Sequence, residues 1–179
     1  MHSNLHSSDT TAERGEQLQM LFKQSMRRLA ASVSVITCAA DDQWHGLTAT
    51  AVTSLCAEPA SIVTCINASS SVLPALNASR HFYVNLLRSE HVAISNSFGG
   101  RLKGSERFTE GRWALGEEGV PYLEDAQANL FCQVEHTIAY GTHIVVIGRV
   151  KDVRFTEQVA PLIYQNGLYV GTTPLACSL

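Results

Sequence analysis

Two short segments concentrate the polar groups that could hold a ligand: Thr48, Thr50, Thr53 and Ser54 in one, and Asn67, Ser69, Ser70 and Ser71 in the other. Hydroxyls and amides at this density can donate to a phosphate or to the polar edge of a heterocycle without a net positive charge. The same residues are also good strand formers and helix caps, and spacing alone leaves both uses open. The other chemistries have less support. The seven histidines are scattered, and the strand-borne pair His136 and His143 has odd spacing, which along β structure points to opposite faces. No metal-ligand set follows, so no metal is expected. Five cysteines, Cys38, Cys56, Cys65, Cys132 and Cys177, show no CxxC spacing and sit mostly among apolar neighbours, as reduced thiols used for packing do. Neither GxGxxG nor GxxxxGK[ST] occurs, so a nucleotide would be held outside a doubly wound or P-loop frame. A Ser-His-Asp hydrolase stays open on composition, although no GxSxG elbow is present.

The elements that must position these groups read mainly as strands. Apolar residues at Leu18, Leu21, Phe22, Met26 and Leu29 predict an amphipathic helix over 17–30, preceded by an unstructured polar tail over 1–16. Residues 32–38 switch to a β-branched run that ends in the polar turn Asp41-Asp42-Gln43. Gly46 to Leu55 reads as one strand and Ser61 to Ile66, beyond the Glu58-Pro59 breaker, as the next. A hydroxyl among Ser69 to Ser71 caps a short helix that tolerates Pro74 in its first turn. A strand follows over 81–87, then a helix capped by Ser89 and stopped by Gly99-Gly100. Residues 101–118 read as loop with a short strand at 112–115. The strongest hairpin is 129–140 with 143–155 across Gly141-Thr142, and a smaller one turns at Asn166-Gly167. Consecutive strands with few helices predict a mainly β domain, an antiparallel barrel, over 17–179.

Composition narrows the partners. At 179 residues, 45% hydrophobic and with a formal charge of −3, the chain can bury one core and has no general electrostatic reason to bind nucleic acid or an anionic membrane. The polar N-terminus lacks a secretory apolar stretch and no run is long enough to span a bilayer, so a cytoplasmic protein is expected.

The order of several motifs resembles the short-chain flavin reductase family, the reductase components of two-component aromatic monooxygenases. The resemblance runs from about Phe22 to Thr172 through Gly46-Leu47-Thr48-Ala49-Thr50-Ala51-Val52-Thr53-Ser54, Glu58-Pro59-Ala60-Ser61 and Cys65-Ile66-Asn67-Ala68-Ser69-Ser70. It continues in Phe82 to Leu87, Phe98-Gly99-Gly100, Glu106-Arg107-Phe108, Gly141-Thr142-His143 and Pro161-Leu162-Ile163-Tyr164. It implies a split barrel like the FMN-binding barrel, a homodimer with FAD or FMN near the subunit interface, and NADH (NADPH being open) as reductant. It also implies release of reduced flavin, by diffusion, to a separate flavin-dependent monooxygenase. A non-catalytic FMN carrier on the same barrel is the alternative.

For individual residues, the resemblance implies that Gly46, Thr48, Ala49, Thr50 and Ser54 line the flavin ring, and that Cys65, Ile66 and Asn67 flank the ring and ribityl chain. Ser70 would donate to phosphate, Phe98 and Gly99 would close the far side, and His143 would face the nicotinamide. Thr142 stands where the family's motif has Asp. Tyr164 and Tyr169 are divided between the nicotinamide, a dimer partner and barrel packing, with Tyr169 counted among the binding residues. Arg107 is divided between a phosphate contact and a loop salt bridge.

Overall fold

A computed structural model describes residues 6–175. Helix α1 (His6–Met26) begins and ends earlier than the 17–30 periodicity indicates, so the stretch read as a tail is helical from His6 onward, while residues 1–5 and Cys177 lie outside the described residues. Two strands, β1 (Ala31–Ser32) and β2 (Ser34–Ala40), follow. The Asp41-Asp42 turn, with both φ values positive at 52° and 59°, returns the chain into β3 (Gln43–Ala49). Paired positive φ angles match the right-handed twist of a two-residue hairpin.

The segment read as one strand breaks at Thr50-Ala51 into β3 and β4 (Val52–Ala57). Next come β5 (Ala60–Asn67), α2 (Val72–Ser79), β6 (His81–Leu86) and α3 (Val92–Asn96). A π turn over Ser97–Arg101 and a 3-10 turn over Gly104–Thr109 lead to the small hairpin of β7 (Trp113–Leu115) and β8 (Pro121–Leu123). The long hairpin is β9 (Ala128–Tyr140) with β10 (His143–Phe155), and the chain closes with β11 (Ile163–Gln165) and β12 (Leu168–Val170) across Asn166-Gly167, whose φ values are 51° and 83°.

Seven strands form one antiparallel sheet in the order β3-β2-β6-β9-β10-β5-β4. The strands joined by Thr50-Ala51 are therefore its two opposite edges. The sheet curls around a core of Ile36, Ile62, Ile66, Leu76, Phe82, Val84, Val134 and Val146, its two edges are joined by the chain at that corner, and the β4–β5 ladder runs on into it, the Cys65 amide donating to the Ala51 carbonyl at 3.2 Å. This is a split barrel, and Thr50-Ala51 lies at the split. A second core, Val33, Val35, Leu87, Ile94, Phe98, Leu123 and Leu162, packs α3 and the C-terminal strands on the outside of β2.

The helix expected from Ser89 starts later, at Val92. Arg88 bridges to Pro161 and the Ser89 amide donates to Ala160 at 2.9 Å, so the chain at Ser89 is held against another segment. Strand β8, unmarked by any sequence run, exists because Asn85 draws it in: the Leu123 amide donates to Asn85 Oδ1 at 2.8 Å, and Asn129 Nδ2 donates to the same oxygen at 2.9 Å. The apolar face of α1 is not covered within the chain, with Leu18 at 67% and Phe22 at 61% exposure.

Candidate active site at the split of the barrel

Strand alternation puts Trp44, Gly46 and Thr48 on one face of β3, and the chain from Ser95 to Phe108 crosses that face as a strap. Trp44 meets Phe108 edge to face, with centroids 5.3 Å apart. At Gly46, a Cβ would stand 2.5 Å from Phe98 Cε1, so only glycine lets the Phe98 ring lie down on the strand. Thr48 Oγ1 donates to the Ser95 carbonyl at 2.7 Å. Phe98, Phe108 and Trp113 pack on one another with centroids 4.9 to 5.4 Å apart and stiffen the strap.

Arg107 fastens this arrangement. Its Nη1 donates to the Gly46 carbonyl and its Nε to the Leu102 carbonyl at 2.9 Å. The loop salt bridge expected as one alternative is not made among the described residues; the guanidinium serves two carbonyls instead. From the other side, the Tyr169 hydroxyl pairs with Ser95 Oγ at 2.9 Å and donates to Asn96 Oδ1 at 3.1 Å, tying the C-terminal hairpin to α3.

Between strap, hairpin and corner lies a cavity of about 530 Å³, lined by Val33, Thr48, Thr50, Ser95, Asn96, Gly99, Arg101, Tyr164 and Tyr169. Arg101 is the one lining side chain with a formal charge, and among the described residues it makes no ion pair. A larger groove, about 1070 Å³, opens on the far side of Thr50 between α1 and the hairpin, with Thr50 and Tyr164 common to both.

The rest of the expected site lies where β5 and β10 end. His143 pairs with Asn67 across the ladder and is exposed. The Thr142 hydroxyl lies 3.0 Å from His143 Nδ1, so the residue that replaces Asp still touches the ring and leaves Nε2 toward solvent or ligand. Asn67 Oδ1 accepts from the Ser69 amide and hydroxyl at 2.9 and 2.8 Å, shaping the turn into α2. Ser70 Oγ accepts from the Val72 amide at 3.3 Å, a local cap that leaves its hydroxyl proton for an anion.

Of the residues expected to bind, Thr48, Thr50, Gly99 and Tyr169 line the 530 Å³ cavity. Cys65, Asn67, Ser70 and His143 lie outside its lining, at and just beyond the adjoining ends of β5 and β10, which connect to the corner through the Cys65 amide and the Ala51 carbonyl. Ile66, Phe98 and Ala49, at 1%, 2% and 8% exposure, belong to the cores. Gly46 faces Phe98, and Ser54 lies on exposed β4 outside both cavities. Ser95, Asn96 and Arg101 were not singled out from sequence. The one signal near them, Gly99-Gly100, reads as a helix stop, and Gly100 indeed turns the chain with φ at 104°.

No group of three or more metal-ligating side chains occurs among the described residues. Burial pushes the Cys38 and Cys132 thiols up to about 12, which keeps them protonated and unreactive. The pairing of Tyr83 with Glu118 raises the phenol, mainly by burial, and lowers the carboxyl, whose strongest partner is the Tyr83 hydroxyl. That pair lies outside the cavity lining.

A corner of small and hydroxylated residues, two tyrosine rings with centroids 5.4 Å apart, and one arginine make a site that fits a flat heterocycle carrying a phosphate. Fold and site together define a split-barrel protein with a nucleotide-sized cleft at its open edge. The chain belongs to the family described as flavin reductase like domain, which matches residues 26–173. It is 40% identical over 159 residues to the reductase component of an FADH(2)-dependent resorcinol hydroxylase from Rhizobium sp. (strain MTP-10005), covering 88% of this chain and 89% of that one. To the FMN reductase (NADH) RutF of Cronobacter sakazakii it is 32% identical over 161 residues, covering 90% and 97%. The crystal structure of a flavin reductase domain protein from Arthrobacter sp. FB24 superposes with a TM-score of 0.83 at 30% identity, covering 90% and 99%.

Proposed function

We propose that the protein transfers hydride from NADH to FMN or FAD and releases the reduced flavin, by diffusion, to a separate flavin-dependent monooxygenase. The observation that carries this reading is the open corner at Thr48 to Ala51, flanked by a tyrosine-walled cavity and by the Cys65 to Ser70 turn. The flavin ring, when bound, supplies the hydride acceptor, so the chain needs mainly to hold two planar molecules face to face. The amides of the Thr48–Thr50 stretch are the donors we assign to the flavin's polar edge. The Ser70 hydroxyl, at the start of α2, serves its phosphate. His143, exposed at the end of β10, contacts the reductant through the nitrogen that Thr142 leaves open.

The proposal includes a homodimer in the cytoplasm. Its support is the uncovered apolar surface of α1, where Leu18, Leu21, Phe22 and Met26 are 46 to 67% exposed, together with the bare edge strand β4. Apolar surface of this kind is seldom left to water, and a second copy would cover it beside Thr50.

Steady-state oxidation of NADH and of NADPH against FMN, FAD and riboflavin tests the reaction. We expect flavin-dependent turnover that His143→Ala lowers by about tenfold or more while flavin affinity changes less than about threefold, a split in transition-state rather than ground-state contacts. Flavin binding without turnover identifies a carrier instead, and neither binding nor turnover removes the reading altogether.

A further inference from the structure

The strap bears a charge that the site has not yet used. Arg101 ends the π turn, immediately after Gly100 with its φ of 104°, and lines the 530 Å³ cavity. The other lining residues are neutral, among them Thr48, Thr50, Asn96 and Tyr169, so the guanidinium sets the sign of the potential in the cavity. Among the described residues Arg101 has no carboxylate partner. An unpaired arginine beside hydroxyl and amide donors is the chemistry that recognises a phosphate.

The backbone of Arg101 is fixed from behind. Arg107 Nε donates to the carbonyl of Leu102, the next residue, while Arg107 Nη1 donates to Gly46 on β3. One planar guanidinium thus joins the strand to the end of the turn that carries Arg101. Lysine has a single ammonium and no such fork, so it cannot span both carbonyls in this geometry.

We infer that Arg101 is a specificity-determining contact for a nucleotide phosphate in this cavity, and that Arg107 is the positioning residue that holds it there. The inference rests on the flavin reductase reading and adds to it which side chain distinguishes phosphorylated from phosphate-free reactants. The phosphate comes from the pyridine nucleotide or, where the flavin's phosphate sits in this cavity rather than at Ser70, from the flavin; the two share this chemistry, and the arms of the test separate them.

The flavin arm is equilibrium binding of riboflavin, FMN and FAD, followed by quenching of flavin fluorescence, for the full chain and for Arg101→Gln. The reductant arm compares KM for NADH with KM for 1-benzyl-1,4-dihydronicotinamide, which carries no phosphate. Arg101→Gln is expected to weaken one phosphorylated class by about tenfold, equivalent to about 1.4 kcal/mol. Riboflavin affinity and the phosphate-free reductant should change less than about twofold. Weakening of FMN and FAD assigns the flavin's phosphate, and weakening of NADH assigns the reductant's.

Arg107→Lys, which keeps the charge and one carbonyl contact, should reproduce the Arg101→Gln pattern and add less than about twofold to it in the double variant, because it acts through the same side chain. No change in either arm overturns the inference. Equal losses for phosphorylated and phosphate-free compounds also overturn it, since they mean a general loss of structure. Fully additive effects of the two arginines overturn the positioning role. If the unsubstituted protein turns over no flavin, the reductase reading fails, and the fluorescence arm still tests Arg101.

Discussion

The two edge strands of the sheet are separated in sequence by Thr50-Ala51, yet their surroundings differ completely. β3 is covered by its own chain: Trp44, Gly46 and Thr48 meet Phe108, Phe98 and Ser95 in turn, and Arg107 locks the strap in place. β4 is bare, with exposed residues from Thr53 through Ala57 and Leu55 at 50% exposure. An uncapped edge is ordinarily a liability for nonspecific pairing. Here the contrast means that one wall of the site is built within the chain, while the opposite side is left for something outside it.

The largest effect should come from breaking the covered edge. Gly46→Val places a branched side chain where even a Cβ comes within 2.5 Å of Phe98, so Phe98 and the strap must leave β3. We expect roughly 1 to 3 kcal/mol of lost stability by thermal or urea unfolding, the usual range for overpacking, and at least a tenfold loss of flavin affinity by fluorescence titration. A well-folded variant that binds flavin normally would show that the strap does not shape the site.

The bare side predicts a change in assembly rather than in folding. Phe22→Glu, on the exposed face of α1, should shift sedimentation from dimer toward monomer while the barrel's own unfolding midpoint moves little, because Phe22 is 61% exposed and belongs to neither core. A monomer at all concentrations before substitution would contradict the assignment of that face to a second copy.

Much of this architecture is legible in the amino-acid sequence because local rules act strongly there. Asp41-Asp42, Gly141-Thr142 and Asn166-Gly167 mark hairpins that form where expected, and the fully alternating or β-branched runs become strands. The break at Thr50-Ala51 has no local mark, since Leu47 to Val52 contains no glycine, proline, asparagine or aspartate. It is imposed by the chain crossing from one sheet edge to the other. Ser89 has the residue type of a cap, but contacts with Ala160 and Pro161 hold that stretch away from the helix.

The site was legible in part for the same reason. Thr48, Thr50 and Tyr169, which the family resemblance assigns to the flavin, line the cavity, whereas Ala49, Ile66 and Phe98 are buried in the cores. Ser95, Asn96 and Arg101 join it only because the strap folds back over β3, a contact between residues too far apart in sequence for periodicity to report.

Thr50 tests the central claim most directly, because its exposed side chain lines both cavities and packs in no core. Substituting Thr50→Trp should fill the split without disturbing the barrel. The measurement is flavin affinity by fluorescence titration at matched unfolding midpoints. A flavin seated at the split requires affinity to fall by about a hundredfold or beyond detection, whereas an unchanged dissociation constant would place the flavin elsewhere.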